Sequence, residues 1–69
     1  MTHEEFVERA SSALGGPRGW KSRLGRALGV APSTVQRWAK GELPPPDYAI
    51  AVIELLERVP AAFRPARWL

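Results

Sequence analysis

The chain has 69 residues, no cysteine, one histidine and a formal net charge of +3 at pH 7. This length allows one small domain, and the lack of thiols excludes disulfide bonds and thiolate metal sites. No stretch approaches the roughly 20 apolar residues that span a bilayer, and the amino-terminal sequence THEEF is acidic where a signal peptide is basic. We therefore expect a soluble intracellular protein with no membrane partner.

The first predicted helix runs from Thr2 to about Leu14. Thr2 and Glu5 have the spacing of a capping box, and acidic residues in the first turn suit the positive end of the helix dipole. The expected core stripe of this helix consists of Phe6, Ala10, Ala13 and Leu14. A loop rich in glycine and proline follows at residues 15–19 and ends the helix.

Two short helices joined by a tight turn are predicted next. In the first, Trp20 to Leu28, the residues with the i, i+4, i+7, i+8 spacing of one buried face are Trp20, Leu24, Ala27 and Leu28. Gly29 permits the positive φ of a helix exit, and the apolar Val30 fits beneath the corner. The second helix begins at Pro32, which suits a first helical position, continues to about Lys40 and ends at Gly41.

This third helix has two different faces. At about 100° per residue, an apolar arc of roughly 100° consists of Ala31, Val35, Trp38 and Ala39. The opposite arc is polar and basic and consists of Ser33, Gln36, Arg37 and Lys40. Because Trp38 lies among apolar neighbours, we expect it to pack in the core, and we expect the same of Trp20.

Three prolines at residues 44–46 form a stiff connector that cannot be helical. The fourth predicted helix spans Asp47 to about Val59, with an apolar arc near 160° made by Tyr48, Ala49, Val52, Ile53, Leu55, Leu56 and Val59. An apolar arc this wide predicts either the central supporting helix of the domain or a helix whose surface is partly a dimer interface. Pro60 ends the helix, and we expect the apolar tail residues to be buried on their own core or on a partner: Phe63, Trp68 and Leu69.

The predicted fold is therefore all-α, a bundle of four short helices with room for a fifth. Residues 1–59 are expected to form a single domain whose central unit is the helix pair within 20–41, and residues 60–69 form a tail that is a candidate dimerisation element.

Charge is distributed unevenly along the chain. Residues 15–41 contain six lysines or arginines and no acid, whereas residues 1–14 and 42–59 are each net negative. A basic centre between acidic segments indicates that one face of the protein meets a polyanion.

An enzyme is not expected. The chain lacks cysteine, has one histidine and offers no serine with a plausible base and orienting acid. Its glycines form no phosphate-binding loop, and the isolated His3 near the terminus does not suggest a metal site. We expect no cofactor, no metal and no small-molecule ligand.

A pattern of five residues marks the stretch 20–41: Gly25 within the first helix, Gly29 at the turn, Val30 after it, and Val35 and Trp38 facing inward. The stretch resembles the helix-turn-helix of the Cro/cI-type (XRE-like) family of phage and bacterial regulators. The resemblance implies a lambda-repressor-like fold that binds double-stranded DNA as a homodimer, with residues 32–40 as the recognition helix. It also implies a repressor located in the cytoplasm of a bacterial cell or a phage-infected host.

The same resemblance suggests which side chains meet DNA. Base-edge contacts are expected from Ser33, Gln36, Arg37 and Lys40, since glutamine suits adenine and the two cations suit guanine. Phosphate contacts are expected from Arg18, Lys21, Ser22 and Thr34. The chain departs from the family at Pro32, where relatives often place a polar base-contacting residue, and at Ala31, a poor N-cap.

An alternative of another class is a protein-interaction module, antitoxin-like or an anti-activator partner. It would use helix 47–59 and the aromatic tail, with DNA contact secondary or absent. An RNA binder is disfavoured, because no exposed aromatic platform is evident.

Overall fold

The structure, a computed structural model, describes residues 1–68, and of Ala61 and Arg67 it describes the backbone alone. Four α-helices make up most of the described chain: α1 (His3–Ala13), α2 (Trp20–Leu28), α3 (Pro32–Lys40) and α4 (Asp47–Arg58). Two single 3-10 turns follow at Ala61–Phe63 and Ala66–Trp68, and residues 1–68 contain no strand. The predicted all-α class with four helices is confirmed, and the described part of the tail contains no fifth α-helix.

Local sequence signals explain where these helices begin and end. The backbone N–H of Glu5 donates to Oγ1 of Thr2 at 3.1 Å, so Thr2 is the N-cap of α1 as expected from the capping-box spacing. Gly29 ends α2 with φ of 76°, and Gly41 ends α3 with φ of 82°. Both glycines adopt a left-handed conformation that side chains with a Cβ rarely adopt.

The core is organised around Phe6 of α1. Its ring meets Trp20 of α2 edge to face, with 6.1 Å between centroids, and meets Trp38 of α3 in the same manner at 6.2 Å. All three aromatic side chains are buried, as expected for both tryptophans. Burial of such large side chains is the main source of stability in a domain this small. The cluster therefore joins the first three helices.

Helix α4 packs mainly against α1, and it buries only part of the apolar arc that its sequence predicts. The buried residues are Ala49, Ile53 and Leu56, whereas Tyr48 is 52% exposed and Leu55 is 63% exposed. A helix that packs on one side of a bundle cannot bury an apolar arc of about 160°. The outer part of that arc consequently faces solvent.

An ion pair holds α4 against α1. Nε of Arg9 donates to Oε2 of Glu57 at 2.8 Å, and Nη2 donates to Oε1, so the contact is bidentate. The hydrogen bonds from Arg9, and secondarily its charge, lower the pKa of the Glu57 carboxyl below its ordinary value of 4.5. The hydrogen bond with Glu57 likewise raises the pKa of Arg9.

Arg64 attaches the tail to the helices. Its guanidinium donates to the carbonyl oxygens of Ala13 at 2.7 Å, Leu56 at 2.6 Å and Val59 at 2.9 Å. These carbonyls lie at the carboxyl ends of α1 and α4, where backbone oxygens have no partner within the helix and the helix dipole attracts a cation. One side chain thus satisfies acceptors from two helices.

The aromatic residues of the tail have different surroundings. Trp68 is half-buried and packs against the core, while Phe63 is 79% exposed, so of the two alternatives for Phe63 only burial on a partner stays a prediction. Leu69 lies outside the described residues. Pro65, Trp68 and the outer residues of α4 line an apolar groove of about 190 Å³. Within residues 1–68, no helix combines the length and the apolar character needed to cross a membrane.

We predict that Arg64→Ala lowers the free energy of unfolding by about 1–3 kcal/mol, because it leaves partly buried carbonyl oxygens without donors. Arg64→Lys should recover little of this loss, since an ammonium cannot reproduce the planar fork of a guanidinium. Chemical denaturation followed by tryptophan fluorescence measures the effect. Arg18→Ala is the matched control, because Arg18 is an exposed arginine with no hydrogen bond or ion pair in the described chain. Equal stability of the Arg64 and Arg18 variants would contradict the tail's role.

We also predict that the contribution of Glu57 to stability depends on pH. Because its pKa is lower in the folded protein than in the unfolded chain, the pair stabilises the fold above about pH 4.5, and this contribution is lost as the pH falls below that value. Glu57→Gln should therefore be less stable than the natural chain near neutral pH and converge with it in acid. Urea titrations across this pH range test the prediction, with Glu42→Gln as the control, because Glu42 is exposed and forms no ion pair in the described chain. A difference that persists in acid would contradict it.

Candidate nucleic-acid interface

Helices α2 and α3 approach each other closely at Gly25. A Cβ placed on this residue would lie 2.9 Å from the carbonyl oxygen of Val30 and 3.5 Å from Cγ2 of Val35. The N–H of Val30 donates to the carbonyl of Gly25 at 2.9 Å, which holds the turn between the helices against α2. The absence of a side chain at Gly25 therefore sets how closely α3 packs on α2.

Helix α3 divides into a buried face and an outer face. Val35 and Trp38 are buried in the core, and Ala39 is half-buried beside them. Ala31, which the sequence placed on the apolar arc, is exposed, because it precedes the helix as its N-cap. The apolar face therefore begins with Val35.

The residues expected to meet base edges lie on the outer face of α3. Ser33, Arg37 and Lys40 are exposed, and Gln36 is half-buried. None of the four is sealed in the interior, and none of their side chains makes a hydrogen bond or ion pair within residues 1–68. This face offers an amide, a hydroxyl and two cations, which together can donate to and accept from a polar partner.

The residues expected to meet phosphates lie at the starts of the same two helices. Arg18 is exposed in the loop before α2, Lys21 and Ser22 are in the first turn of α2, and Thr34 is half-buried near the start of α3. Nζ of Lys21 lies 5.8 Å from the ring centroid of Trp20, close enough for a cation–π contact. This contact positions the ammonium of Lys21 beside the beginning of α2.

Neither α2 nor α3 has a side-chain cap at its amino end. The N-cap residues are Gly19 and Ala31, and neither forms a side-chain capping hydrogen bond. The first N–H groups of a helix have no acceptor within the helix, so those of Lys21, Ser22 and Ser33 are available to an outside acceptor. The positive ends of both helix dipoles add to the positive charge of the cations there.

The six cations of residues 15–41 have different surroundings. Nη1 of Arg23 donates to the carbonyl oxygen of Leu14 at 2.8 Å, so this arginine closes the end of α1. Arg26 is exposed, and its side chain has no hydrogen bond or ion pair within the described chain. Both arginines lie off the apolar stripe of α2, so helical periodicity does not distinguish them. Only the position of Leu14 in the fold distinguishes them.

The carboxyl end of α3 meets the amino end of α1. A Cβ on Gly41 would lie 2.8 Å from Nδ1 of His3, so the imidazole lies directly against the residue that ends α3. Nε2 of His3 lies 3.1 Å from Oε1 of Glu4. His3 is thus placed as a packing residue at the end of α3, which no local sequence signal indicates. No three histidine, aspartate or glutamate side chains of residues 1–68 are grouped as a metal site would require.

No family model, no curated protein and no solved structure matches this chain.

We predict that Gly25→Ala destabilises the protein by about 1–3 kcal/mol, because a methyl group would overlap the Val30 carbonyl and force α3 away from α2. The sign of the change in the free energy of unfolding shows whether the helices are in close contact, since alanine in place of glycine stabilises an ordinary exposed helix by about 1 kcal/mol. Thermal denaturation followed by circular dichroism measures the change. Ser22→Ala, an exposed substitution in the same helix, is the control. A more stable Gly25→Ala variant would contradict the close approach of the two helices.

Proposed function

We propose that this protein is a sequence-specific DNA-binding transcriptional regulator of the Cro/cI type, a small repressor that occupies an operator as a homodimer. In this proposal α2 and α3 form a lambda-repressor-like helix-turn-helix, and α3 is the recognition helix. The single observation that carries the proposal is the division of α3, which buries Val35 and Trp38 and exposes Ser33, Arg37 and Lys40.

Electrostatics favours a polyanionic partner. The stretch from residue 15 to residue 41 has no acidic residue, and Arg18, Arg26, Arg37 and Lys40 are all exposed. Cations that neutralise phosphates release condensed counterions, which adds about −0.9 to the salt slope of binding per phosphate. This contribution supplies affinity that does not depend on base sequence.

Base recognition is the role proposed for the outer face of α3. An α-helix fits the major groove, where Gln36 suits the N6 and N7 atoms of adenine and Arg37 or Lys40 suits the O6 and N7 atoms of guanine. Each good pair contributes roughly 1–3 kcal/mol of discrimination between bases. Exposure of Arg37 and Lys40 and partial exposure of Gln36 leave these side chains accessible for such contacts.

Phosphate contacts would fix the orientation of α3 in the groove. The ammonium of Lys21 beside Trp20 supplies one donor, and the uncapped first turns of α2 and α3 supply backbone donors with no acceptor within their own helix. Backbone N–H groups at a helix amino end bind phosphate oxygens well, because the dipole and the unpaired donors act together. The poor cap at Ala31 is therefore consistent with the proposal.

A second candidate function is a protein-interaction module, and one observation favours it. The outer face of α4 and the tail expose Tyr48, Leu55 and Phe63, which are large apolar side chains. As an antitoxin-like or anti-activator module, the chain would bind another protein through this surface, with DNA contact secondary or absent.

We predict that the protein retards double-stranded DNA from upstream of its own gene in a gel shift and that Gln36→Ala/Arg37→Ala abolishes the sequence-specific complex. Measurement at two salt concentrations separates sequence-specific from non-specific binding, because the non-specific complex weakens as the salt concentration rises. The double substitution removes groups from an outer face and should leave the circular dichroism spectrum unchanged.

The matched control is Glu8→Ala/Ser12→Ala, which also removes two exposed polar side chains but from α1. It should retain the sequence-specific complex. Equal binding by the α3 variant and the natural chain would reject α3 as the recognition helix. No shift at either salt concentration, combined with a protein partner lost on Leu55→Glu, would favour the second candidate.

A further inference from the structure

The outer face of α4 carries an apolar stripe along its whole length. Tyr48, Val52, Leu55 and Val59 follow one another at helical spacing, and Tyr48 and Leu55 are both more than half exposed. The groove lined by Val52, Leu55, Val59, Pro65 and Trp68 opens beside the stripe. Exposed apolar surface of this extent on a 69-residue chain is typical of an interaction surface.

The pattern around Leu55 is self-complementary. On one flank of Leu55 lie Val52 and Val59, and on the other lie Glu54 and Arg58, both exposed. Neither Glu54 nor Arg58 forms an ion pair within the described part of the chain. An isologous two-fold interface requires such a surface, because each residue on one copy meets its counterpart on the other.

We infer that the outer face of α4 binds a second copy of this chain, with the two α4 helices antiparallel and the two-fold axis at Leu55. This register places Leu55 against the partner's Leu55, Val52 against the partner's Val59, and Glu54 near the partner's Arg58. Acid therefore meets base on one flank while apolar groups meet on the other. A surface that binds an unrelated protein does not need acidic and basic residues that pair with each other when a second copy of the helix runs antiparallel.

The ends of the stripe fit the same arrangement. Tyr48 lies at the amino end of α4, and Phe63, 79% exposed, lies just beyond its carboxyl end. In an antiparallel pair the amino end of one helix meets the carboxyl end of the other, so each Tyr48 faces the partner's Phe63. Aromatic side chains of this kind are enriched at the energetic centres of interfaces. Tyr48 already meets Trp38 of its own chain edge to face, with 6.4 Å between ring centroids, so the pairing covers only its exposed part and gives Leu55 and Phe63 a partner.

This inference specifies the homodimer of the proposed function, but its test contains no DNA. Sedimentation equilibrium of the full chain should show a monomer–dimer equilibrium, and Leu55→Glu should raise the dimer dissociation constant by at least about tenfold. Leu43→Glu is the matched control, because Leu43 is an exposed leucine, 43% accessible, outside the stripe. It should leave the dissociation constant unchanged.

Cysteine substitution tests the position of the axis. The natural chain has no cysteine, so Leu55→Cys introduces a single thiol per protomer that the two-fold axis places against its own copy. Mild oxidation should give a disulfide-linked dimer in high yield, whereas Leu43→Cys should remain largely monomeric. Because position 55 is exposed in the protomer, this variant also tests the proposal should the Leu55→Glu variant not fold.

Charge reversal tests the register. Glu54→Arg alone should weaken the dimer, and Glu54→Arg/Arg58→Glu should restore it, because the reversed charges meet again across the axis. Three results would each overturn the interface. The natural chain could stay monomeric at about 100 µM, the two cysteine variants could cross-link equally, or the double variant could fail to restore the dimer. A monomer that still binds DNA specifically would reject this interface alone, whereas a dimer without specific DNA binding would reject the proposed function alone.

Discussion

The edge-to-face packing of Phe6 between Trp20 and Trp38 is the contact on which the position of α3 depends. One ring on α1 holds one residue from each of the next two helices, so a shift of α1 moves both. In so small a domain few other large side chains are available to hold α3 in place. The outer face of α3 is consequently presented from a rigid base, which a surface that recognises a partner by hydrogen-bond geometry needs.

Arginine has two separate uses in this chain, and its neighbours distinguish them. Arg9, Arg23 and Arg64 bind a carboxylate or backbone carbonyls and join segments far apart in sequence. Arg26 and Arg37 are exposed and have no such partner in the described chain. A guanidinium serves the first use because its planar fork reaches several acceptors at once. The net positive charge available to a polyanion is therefore smaller than the cation count suggests, and it is concentrated between Arg18 and Lys40.

Much of the fold was predictable because its signals are local. Thr2 before acidic residues, Gly29, Pro32 and Gly41 mark helix ends through capping and backbone freedom, which depend on a few neighbouring residues. The division of α3 into two faces follows from helical periodicity, and the burial of Val35 and Trp38 agrees with it. The rotation of α4 was not predictable, since its apolar arc is wider than the face that α1 covers, and periodicity does not show which part is covered.

Helix positions, the inward side of α3 and the basic character of residues 15–41 all follow from residue order, because each depends on neighbours within about two turns of helix. The partners of Arg23 and Arg64, the contact of His3 with Gly41 and the exposure of Leu55 depend on segments that meet through the packing of the whole chain. Arg64 and Ala13 are 51 positions apart, and nothing local to either residue encodes their contact. Such pairings arise only when the aromatic core has set the distances between the helices. No periodicity along the chain specifies those distances.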